Sequence, residues 1–319
     1  MPDLPIVRQF PALDRIARAR FGSYPTPVDR LELNDGRVLF IKRDDRSGDL
    51  IGGNKVRGLE WLLGGIAAGD RVLTVGPRGS THALATALCA GRLGARTTVV
   101  RWNQEMNAAA RRVDARMREV ARLVDARSVA LAYPVAFALR ARRPGTRWIP
   151  AGGASPLAML GHVNAALELA EQVERGACPR LDRVVVPYGT GATAAGLALG
   201  FRIAALRTRV VAVRVVPRVL GRAGRLLRLA TSTSMLIERV TGATTPRVGR
   251  DDVSVEHAFY GGGYGRALGG ASLLDERALR DMGVVLDDTY SRKAFSAAMS
   301  AAGGTTLLWL TFDGRLLQD

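Results

Sequence analysis

The stretch RVVVPYGTGATAAGLALGFRIA, residues 183–204, decides the fold class. A valine-rich run is followed at once by a glycine-rich turn and then by a segment of small and aliphatic residues. Valine favours strands and alanine and leucine favour helices, so the order strand, turn, helix is predicted. A continuously apolar strand is typical of a parallel sheet that is covered on both faces. This unit therefore predicts an α/β fold.

The same alternation of strand and helix runs through most of the chain. Predicted strands lie at 37–42, 71–76, 96–102, 127–132 (a weak one), 147–153, 183–188, 209–217 and 305–312. Predicted helices lie at 55–68, 81–94, 110–123, 155–175, near 272–282 and at 290–302, and residues 250–270 are expected to be irregular. Repeated β-α units indicate parallel sheets with helices on both faces. A length of 319 residues suits two domains or one large α/β unit.

Composition limits the possible functions. The net charge is +17, and 43 of the 46 basic residues are arginines, but they are dispersed at helical spacing in segments such as 110–123. Without interleaved aromatics or a nucleic-acid-binding motif, nucleic-acid binding is not predicted as the main function. Cys89 and Cys178 have no second cysteine or histidine cluster nearby, so neither a disulfide framework nor a metal site is predicted. With no visible signal peptide or membrane helix, a cytoplasmic protein is expected.

Two strand–helix turns are candidate anion sites. The turn Gly189-Thr190-Gly191-Ala192-Thr193 would expose backbone N–H groups at the positive end of a helix, which suits a phosphate. It matches neither the Walker loop nor the dinucleotide fingerprint, and an ordinary tight turn is the alternative. The second turn, within 74–87, carries Ser80, Thr81 and His82. Ser80 could be a plain helix cap, or the turn could bind a carboxylate.

The lysines supply a third candidate. The chain has only three, Lys42, Lys55 and Lys293, and Lys55 directly follows Gly52, Gly53 and Asn54. An amine can lose its proton and attack a carbonyl carbon, whereas a guanidinium stays charged. Lys55 is therefore a candidate nucleophile, although one lysine in three could fall here by chance.

These segments together resemble a known family. GGNK (52–55), the turn with Ser80-Thr81-His82, the loop near 189 and the segments GGGYG (261–265) and LDDTYSRK (286–293) occur in the order seen in the D-cysteine desulfhydrase and 1-aminocyclopropane-1-carboxylate deaminase family. YPTPVDRLE (24–32) and IKRDD (41–45) match its entry segment. The family uses pyridoxal phosphate and has the tryptophan-synthase-β-like fold (fold type II). The resemblance implies two domains: a larger cofactor-binding domain of residues 1–52 and 163–319, and a smaller inserted α/β domain of residues 53–162.

The resemblance also implies a role for each matching residue. Lys55 would bind the cofactor covalently, with Lys55, Ser80, Tyr264 and Tyr290 as catalytic residues. Ser80, Thr81 and His82 would bind the substrate carboxylate. The cofactor would be held by Asn54, Lys55, Thr81, Gly189, Thr190, Gly191, Ala192, Thr193 and Thr311. A small amino acid as substrate and a homodimer are expected.

The chain departs from the family pattern at two positions. Thr81 replaces the usual asparagine of Ser-Asn-His or Ser-Asn-Gln, and Phe312 falls where a hydroxyl is expected, with Thr311 beside it. His82 is the residue of the desulfhydrase side of the family, and an ordinary imidazole pKa near neutrality would suit it to carboxylate binding or thiolate release. The prediction is therefore elimination from D-cysteine to sulfide, ammonia and pyruvate. The alternatives are deamination of 1-aminocyclopropane-1-carboxylate and a diverged, non-catalytic cofactor-binding protein.

Overall fold

The computed structural model describes residues 4–263, 266 and 273–317. Its strands are β1 Val28–Glu32, β2 Val38–Lys42, β3 Arg71–Pro77, β4 Arg96–Trp102, β5 Arg122–Ala126, β6 Arg147–Ile149, β7 Arg183–Tyr188, β8 Arg209–Arg214, β9 Val253–Glu256 and β10 Thr306–Trp309. Its α-helices are α1 Pro5–Gln9, α2 Lys55–Leu62, α3 Thr81–Arg92, α4 Ala108–Val120, α5 Val129–Ala141, α6 Pro156–Glu174, α7 Ala192–Ile203, α8 Ala223–Thr241, α9 Leu273–Asp281 and α10 Ser291–Met299.

The strands form two separate sheets. One has the order β1-β2-β10-β7-β8-β9, and the other has the order β5-β4-β3-β6. Every pairing is parallel except that of β1 with β2, which is antiparallel. Two parallel sheets covered by helices confirm the predicted fold class. The smaller sheet lies within residues 71–149, and the exact domain boundaries at 52/53 and 162/163 stay a prediction.

Helices with small residues pack closely on both sheets. The helix α7 lies against α6, where a Cβ added to Gly200 would come within 2.5 Å of the Ala166 Cβ. Valines 184, 185 and 186 in β7 are all buried, which is why this strand reads as one apolar run in the sequence. The carboxyl ends of β3 and β7 lead directly into α3 and α7, so both turns reach the cleft between the sheets.

Two predicted elements are wrong. Residues 127–132 are not a strand: the strand is β5, which pairs with β4, and Ser128 then caps α5 by accepting a hydrogen bond from the Leu131 N–H. Serine at an N-cap satisfies one of the free N–H groups of a helix, so the helix begins there despite the valine at 129. Residues 250–270 are not wholly irregular, since β9 adds to the edge of the larger sheet beside β8.

Candidate active site

One cavity of about 620 Å³ gathers most of the predicted site residues. Its described lining includes Asn54, Lys55, Ser80, Thr81, His82, Gly189, Thr190, Gly191, Ala192, Thr193, Tyr290 and Thr311, and also Phe312. Residues more than two hundred positions apart in the chain thus meet at one place. Tyr264, the remaining predicted residue, lies outside the described residues.

Lys55 stands at the start of α2, where backbone contacts fix the preceding turn. Gly53 has a φ of +96°, and a Cβ there would come within 2.6 Å of the Thr311 carbonyl oxygen. The Gly53 N–H donates to the Asp44 carbonyl at 2.7 Å, and the Asn54 N–H donates to the Thr311 carbonyl at 3.3 Å. Burial lowers the pKa of the Lys55 ammonium from 10.5 to about 8. The amine that faces the cavity is therefore partly uncharged near neutral pH.

The first candidate anion-binding element is the N-terminus of α7. Gly191 occupies the N-cap with a φ of +93°, and no side chain caps this end of the helix. The first turn of α7 contains no acidic residue, so the positive end of the helix dipole opens to the cavity uncompensated. Thr193 lies in this turn and accepts a hydrogen bond from the Asn54 side-chain amide at 2.6 Å. That bond ties the turn to the residue before Lys55.

The second candidate anion-binding element is the N-terminus of α3. Ser80 is its N-cap, and its hydroxyl accepts a hydrogen bond from the Ala83 N–H at 3.3 Å. The helix-cap interpretation is therefore confirmed, and Ser80 also lines the cavity. The first turn of α3 again lacks an acidic residue. Two helix N-termini and one amine thus face the same cavity, which suits two anionic groups on either side of a reacting amine.

His82 differs from expectation in its protonation. The side chain is buried, and burial followed by the positive charge of Lys55 lowers its pKa to about 3. The expectation of a pKa near neutrality is wrong because burial disfavours the charged imidazolium. A hydrogen-bonding contact with the Pro150 backbone opposes this lowering of the pKa, and the His82 Nε2 lies 3.5 Å from the Thr86 hydroxyl. His82 therefore presents a neutral ring at the wall of the cavity.

Tyr290 is held in place by the carboxylate of Asp287. The buried Asp287 accepts hydrogen bonds from the backbone N–H groups of Thr289, Tyr290 and Ser291 and from the Ser291 hydroxyl, at 2.7–2.9 Å. This turn precedes α10 and brings Tyr290 to the cavity, where a Cβ added to Gly189 would lie 4.0 Å from its ring. Asp287 and Tyr290 both belong to the segment LDDTY (286–290), so this short segment contains both the tyrosine and the carboxylate that orients it.

Thr311 and Phe312 both line the cavity. Strand β10 ends at Trp309, earlier than predicted, so both residues lie beyond the strand and strict alternation of faces does not apply to them. The phenylalanine at 312 therefore does not push Thr311 away from the site.

Several lining residues had no motif to indicate them. Arg225 lies at the start of α8 and donates from Nε to the Thr190 carbonyl at 3.1 Å, which adds a positive charge beside the glycine-rich turn. Trp102, Tyr133 and Leu220 form part of the cavity wall. Trp102 could have been found because it ends a predicted strand, where α/β sites lie. Nothing in the sequence around Arg225, Tyr133 or Leu220 indicates the site.

The structure therefore defines an α/β protein with a cavity that two helix N-termini and a lysine of lowered pKa face. The sequence profile of the family described as "Pyridoxal-phosphate dependent enzyme" matches residues 19–307, and the chain belongs to this family. A cofactor with a phosphate and an aldehyde suits the residues present: a helix N-terminus without acidic side chains can bind the phosphate, and Lys55 can bind the aldehyde.

Comparison with known proteins agrees with this membership. The chain is 32% identical over 302 residues to a putative 1-aminocyclopropane-1-carboxylate deaminase of Pyrococcus horikoshii, covering 92% of this chain and 89% of that one. It is 37% identical over 311 residues to nocardicin C-9' epimerase of Nocardia uniformis subsp. tsuyamanensis, covering 91% of each. It is 30% identical over 306 residues to D-cysteine desulfhydrase of Serratia proteamaculans, covering 90% and 87%.

A solved structure extends the agreement to the fold. The crystal structure of an ACC deaminase homologue superposes with a TM-score of 0.77 at 28% identity and covers 99% of both chains. The chain is thus a pyridoxal-phosphate-dependent enzyme of the lyase and deaminase type with the type II fold. Within the described residues, every helix is too short or too polar to span a membrane. In that same part of the chain, no three potential metal ligands cluster together.

Proposed function

We propose that the protein catalyses β-elimination from an amino acid, with D-cysteine as the simplest substrate and sulfide, pyruvate and ammonia as products. The observation that carries this proposal is the position of the Lys55 amine in a cavity that the N-termini of α3 and α7 also face; its pKa of about 8 suits the removal of a proton from the substrate α-carbon. Bound pyridoxal phosphate supplies the electron sink that makes this proton acidic. Elimination needs such a base, whereas the cyclopropane acid has no α-proton to remove.

Two helix N-termini set the orientation in this proposal. The turn 189–193 with the first N–H groups of α7 binds the cofactor phosphate, and Arg225 adds a positive charge there. The N-terminus of α3, with Ser80, Thr81 and His82, binds the substrate carboxylate. With the phosphate bound at α7 and the carboxylate bound at α3, the substrate α-carbon would be held between them, near Lys55.

The remaining residues act on protons and on the cofactor ring. Asn54, Thr81 and Thr311 line the cavity beside Lys55 and would contact the ring. Ser80 and Tyr290 carry hydroxyl groups that can deliver a proton to the departing sulfur, and Tyr264 is assigned with them by its place in the motif. His82 stays neutral, so it acts as a hydrogen-bonding group and not as a cation.

A direct assay tests the proposal. The protein loaded with pyridoxal phosphate is incubated with D-cysteine, L-cysteine, D-serine or 1-aminocyclopropane-1-carboxylate, and sulfide, 2-oxo acid and ammonia are measured. We expect sulfide and pyruvate in equal amounts from D-cysteine and little ammonia from the cyclopropane acid. Faster turnover of the cyclopropane acid would overturn the choice. Turnover of none of the four would favour a diverged, non-catalytic protein or a different reaction.

Epimerisation at an amino-acid α-carbon is the second candidate. The 37% identity with nocardicin C-9' epimerase favours it, and the same base would be needed to remove the α-proton. Incubation of each amino acid in deuterated water distinguishes the two reactions. Deuterium at the α-carbon together with inversion, but without 2-oxo acid, would indicate an epimerase. A homodimer that works in the cytoplasm remains a prediction.

A further inference from the structure

The cavity opens to solvent between apolar side chains. Val129 and Leu220 both line the cavity, yet their exposed fractions are 51% and 48%. Side chains that line a cavity and are half exposed stand at its opening. Large exposed aliphatic residues grouped at a cleft are a common mark of a binding surface.

The two sides of this opening come from different sheets. Val129 and Tyr133 lie on α5, which packs on the smaller sheet, and the Tyr133 ring packs edge-on against Trp148 with centroids 6.5 Å apart. Leu220 follows β8 of the larger sheet. Its carbonyl accepts a hydrogen bond from the Tyr188 hydroxyl at 3.3 Å, and its N–H donates to the Pro217 carbonyl at 2.9 Å. Both sides of the opening are therefore held in place.

The described lining offers no partner for a second charged end of a substrate. No carboxylate lines the cavity in the described part of the chain, and its only cationic side chains are Lys55 and Arg225. Arg225 is bonded to the Thr190 carbonyl beside the glycine-rich turn. The Gln104 amide already donates to the Arg78 carbonyl at 2.5 Å. A charged substituent placed against Trp102, Tyr133 and Leu220 would lose water and meet no opposite charge, whereas an apolar one would gain free energy from the two rings and the leucine.

We infer that this site prefers amino acids that carry a bulky apolar group on the β-carbon substituent, such as an S-benzylcysteine, and that Trp102, Tyr133, Val129 and Leu220 bind that group. The part of this inference that concerns the reaction rests on the proposed function, whereas the part that concerns binding does not. In the reaction, the Cα–H and Cβ–S bonds break, the thiol leaves with one proton, and water converts the remainder to pyruvate and ammonia. S-Benzylcysteine and one water thus give benzyl thiol, pyruvate and ammonia.

Binding is measured without turnover by calorimetry on the protein loaded with pyridoxal phosphate. Phenylalanine and alanine, both enantiomers of each, have no leaving group and differ only in the phenyl ring. We expect the better-bound enantiomer of phenylalanine to bind at least about tenfold more tightly than the matching alanine. Equal affinities, or no measurable binding of phenylalanine, would overturn the inference whether or not D-cysteine is eliminated.

Exposed positions provide variants with matched controls. Leu220→Asp and Val129→Asp place a charge at the opening, and Leu131→Asp and Val219→Asp place one at neighbouring residues that are 48% and 66% exposed and do not line the cavity. We expect the first pair to lose at least about tenfold more affinity for phenylalanine than for alanine, and the controls to keep the affinities of the unchanged protein for both amino acids. Leu220→Ser repeats the test without a charge. Equal losses in both pairs, or none, would overturn the inference.

Turnover then connects binding to the reaction. We expect a higher kcat/KM for S-benzyl-D-cysteine than for D-cysteine. Leu220→Asp should reduce this preference by lowering kcat/KM for S-benzyl-D-cysteine more than for D-cysteine. Elimination of D-cysteine without this preference would overturn the inference and leave the proposed function intact. Tighter binding of phenylalanine without elimination of any substrate would support the inference and overturn the proposed function.

Discussion

Replacement of Arg57 by methionine should greatly destabilise the protein and displace Lys55. Arg57 lies two residues after Lys55 on α2, and its guanidinium is fully buried. It donates to both oxygens of Asp44 at 2.7 and 2.9 Å and to both oxygens of Glu168 at 2.9 and 3.1 Å. With Lys42, which pairs with Glu168 at 2.5 Å, these groups form a buried cluster of two positive and two negative charges. The methionine variant would leave one positive charge and two negative ones.

The expected loss follows from this imbalance. Removal of one partner from a buried ion pair costs about 3–5 kcal/mol, and Arg57 serves two carboxylates, so a loss of about 5 kcal/mol is expected. For 319 residues, an unfolding entropy of about 2.1 cal/mol/K per residue converts this loss into a decrease in Tm of about 7 °C. Arg116→Met is the matched control, because Arg116 pairs with Glu119 on the surface of α4 and should lose less than about 1 kcal/mol.

Thermal unfolding and urea denaturation of the cofactor-free variants measure both losses. The double variant Arg57→Met with Asp44→Asn restores the charge balance and keeps an acceptor for the Trp309 indole N–H, which now donates to Asp44 at 2.8 Å. It should therefore be less destabilised than the sum of the two single variants. A loss for Arg57→Met no larger than that for Arg116→Met, or strict additivity in the double variant, would refute this reasoning.

Two further predictions follow from the site. Gly189→Val should weaken pyridoxal phosphate binding, measured by titration, without lowering the Tm of the cofactor-free protein, because a Cβ at Gly189 meets nothing closer than 4.0 Å. Gly191→Val should by contrast lower that Tm, because φ is +93° and its Cβ would lie 2.8 Å from Leu226; equal Tm losses would contradict this difference. Lys55→Met should stabilise the cofactor-free protein by about 3 kcal/mol more below pH 8 than above pH 10.5, because the folded pKa of about 8 lies below the unfolded value of 10.5 and burial of the charge is a cost. The stability difference between the variant and the unchanged protein should fall between pH 8 and 10.5, as followed by urea denaturation at several pH values, and a difference independent of pH would contradict this prediction.

The structure brings the predicted site residues into one cavity, while their roles stay predictions. The GGNK segment and the turn at 189–193 carry their chemistry in local residue types, so Lys55 and the N-terminus of α7 could be proposed as parts of a site without coordinates. The burial of His82 could not, because it depends on packing against residues such as Gly153, distant in the chain. Its pKa was therefore predicted wrongly. The apolar opening was also missed, since Val129 and Leu220 come from different sheets and no motif joins them.

The errors in secondary structure have a similar origin. The valine, leucine and alanine of 127–132 suit a strand or a helix, and the Ser128 cap together with the pairing of β5 with β4 decides for the helix. Strand β1 was not predicted, because its charged residues Asp29, Arg30 and Glu32 break the apolar pattern on an edge strand that pairs antiparallel with β2. Edge strands tolerate such residues, so composition alone does not indicate them.

The most direct test of the central claim is to locate the cofactor on the chain. Borohydride reduction of the protein loaded with pyridoxal phosphate, followed by peptide mapping, should place the reduced cofactor on Lys55, and Lys55→Arg should remain folded but unlabelled. Lys42 is bonded to Glu168, and Lys293 donates to the carbonyls of Tyr260 and Gly263 at 2.7 and 2.8 Å, so neither amine is available. A label on Lys42 or Lys293, or a full label in Lys55→Arg, would contradict the assignment.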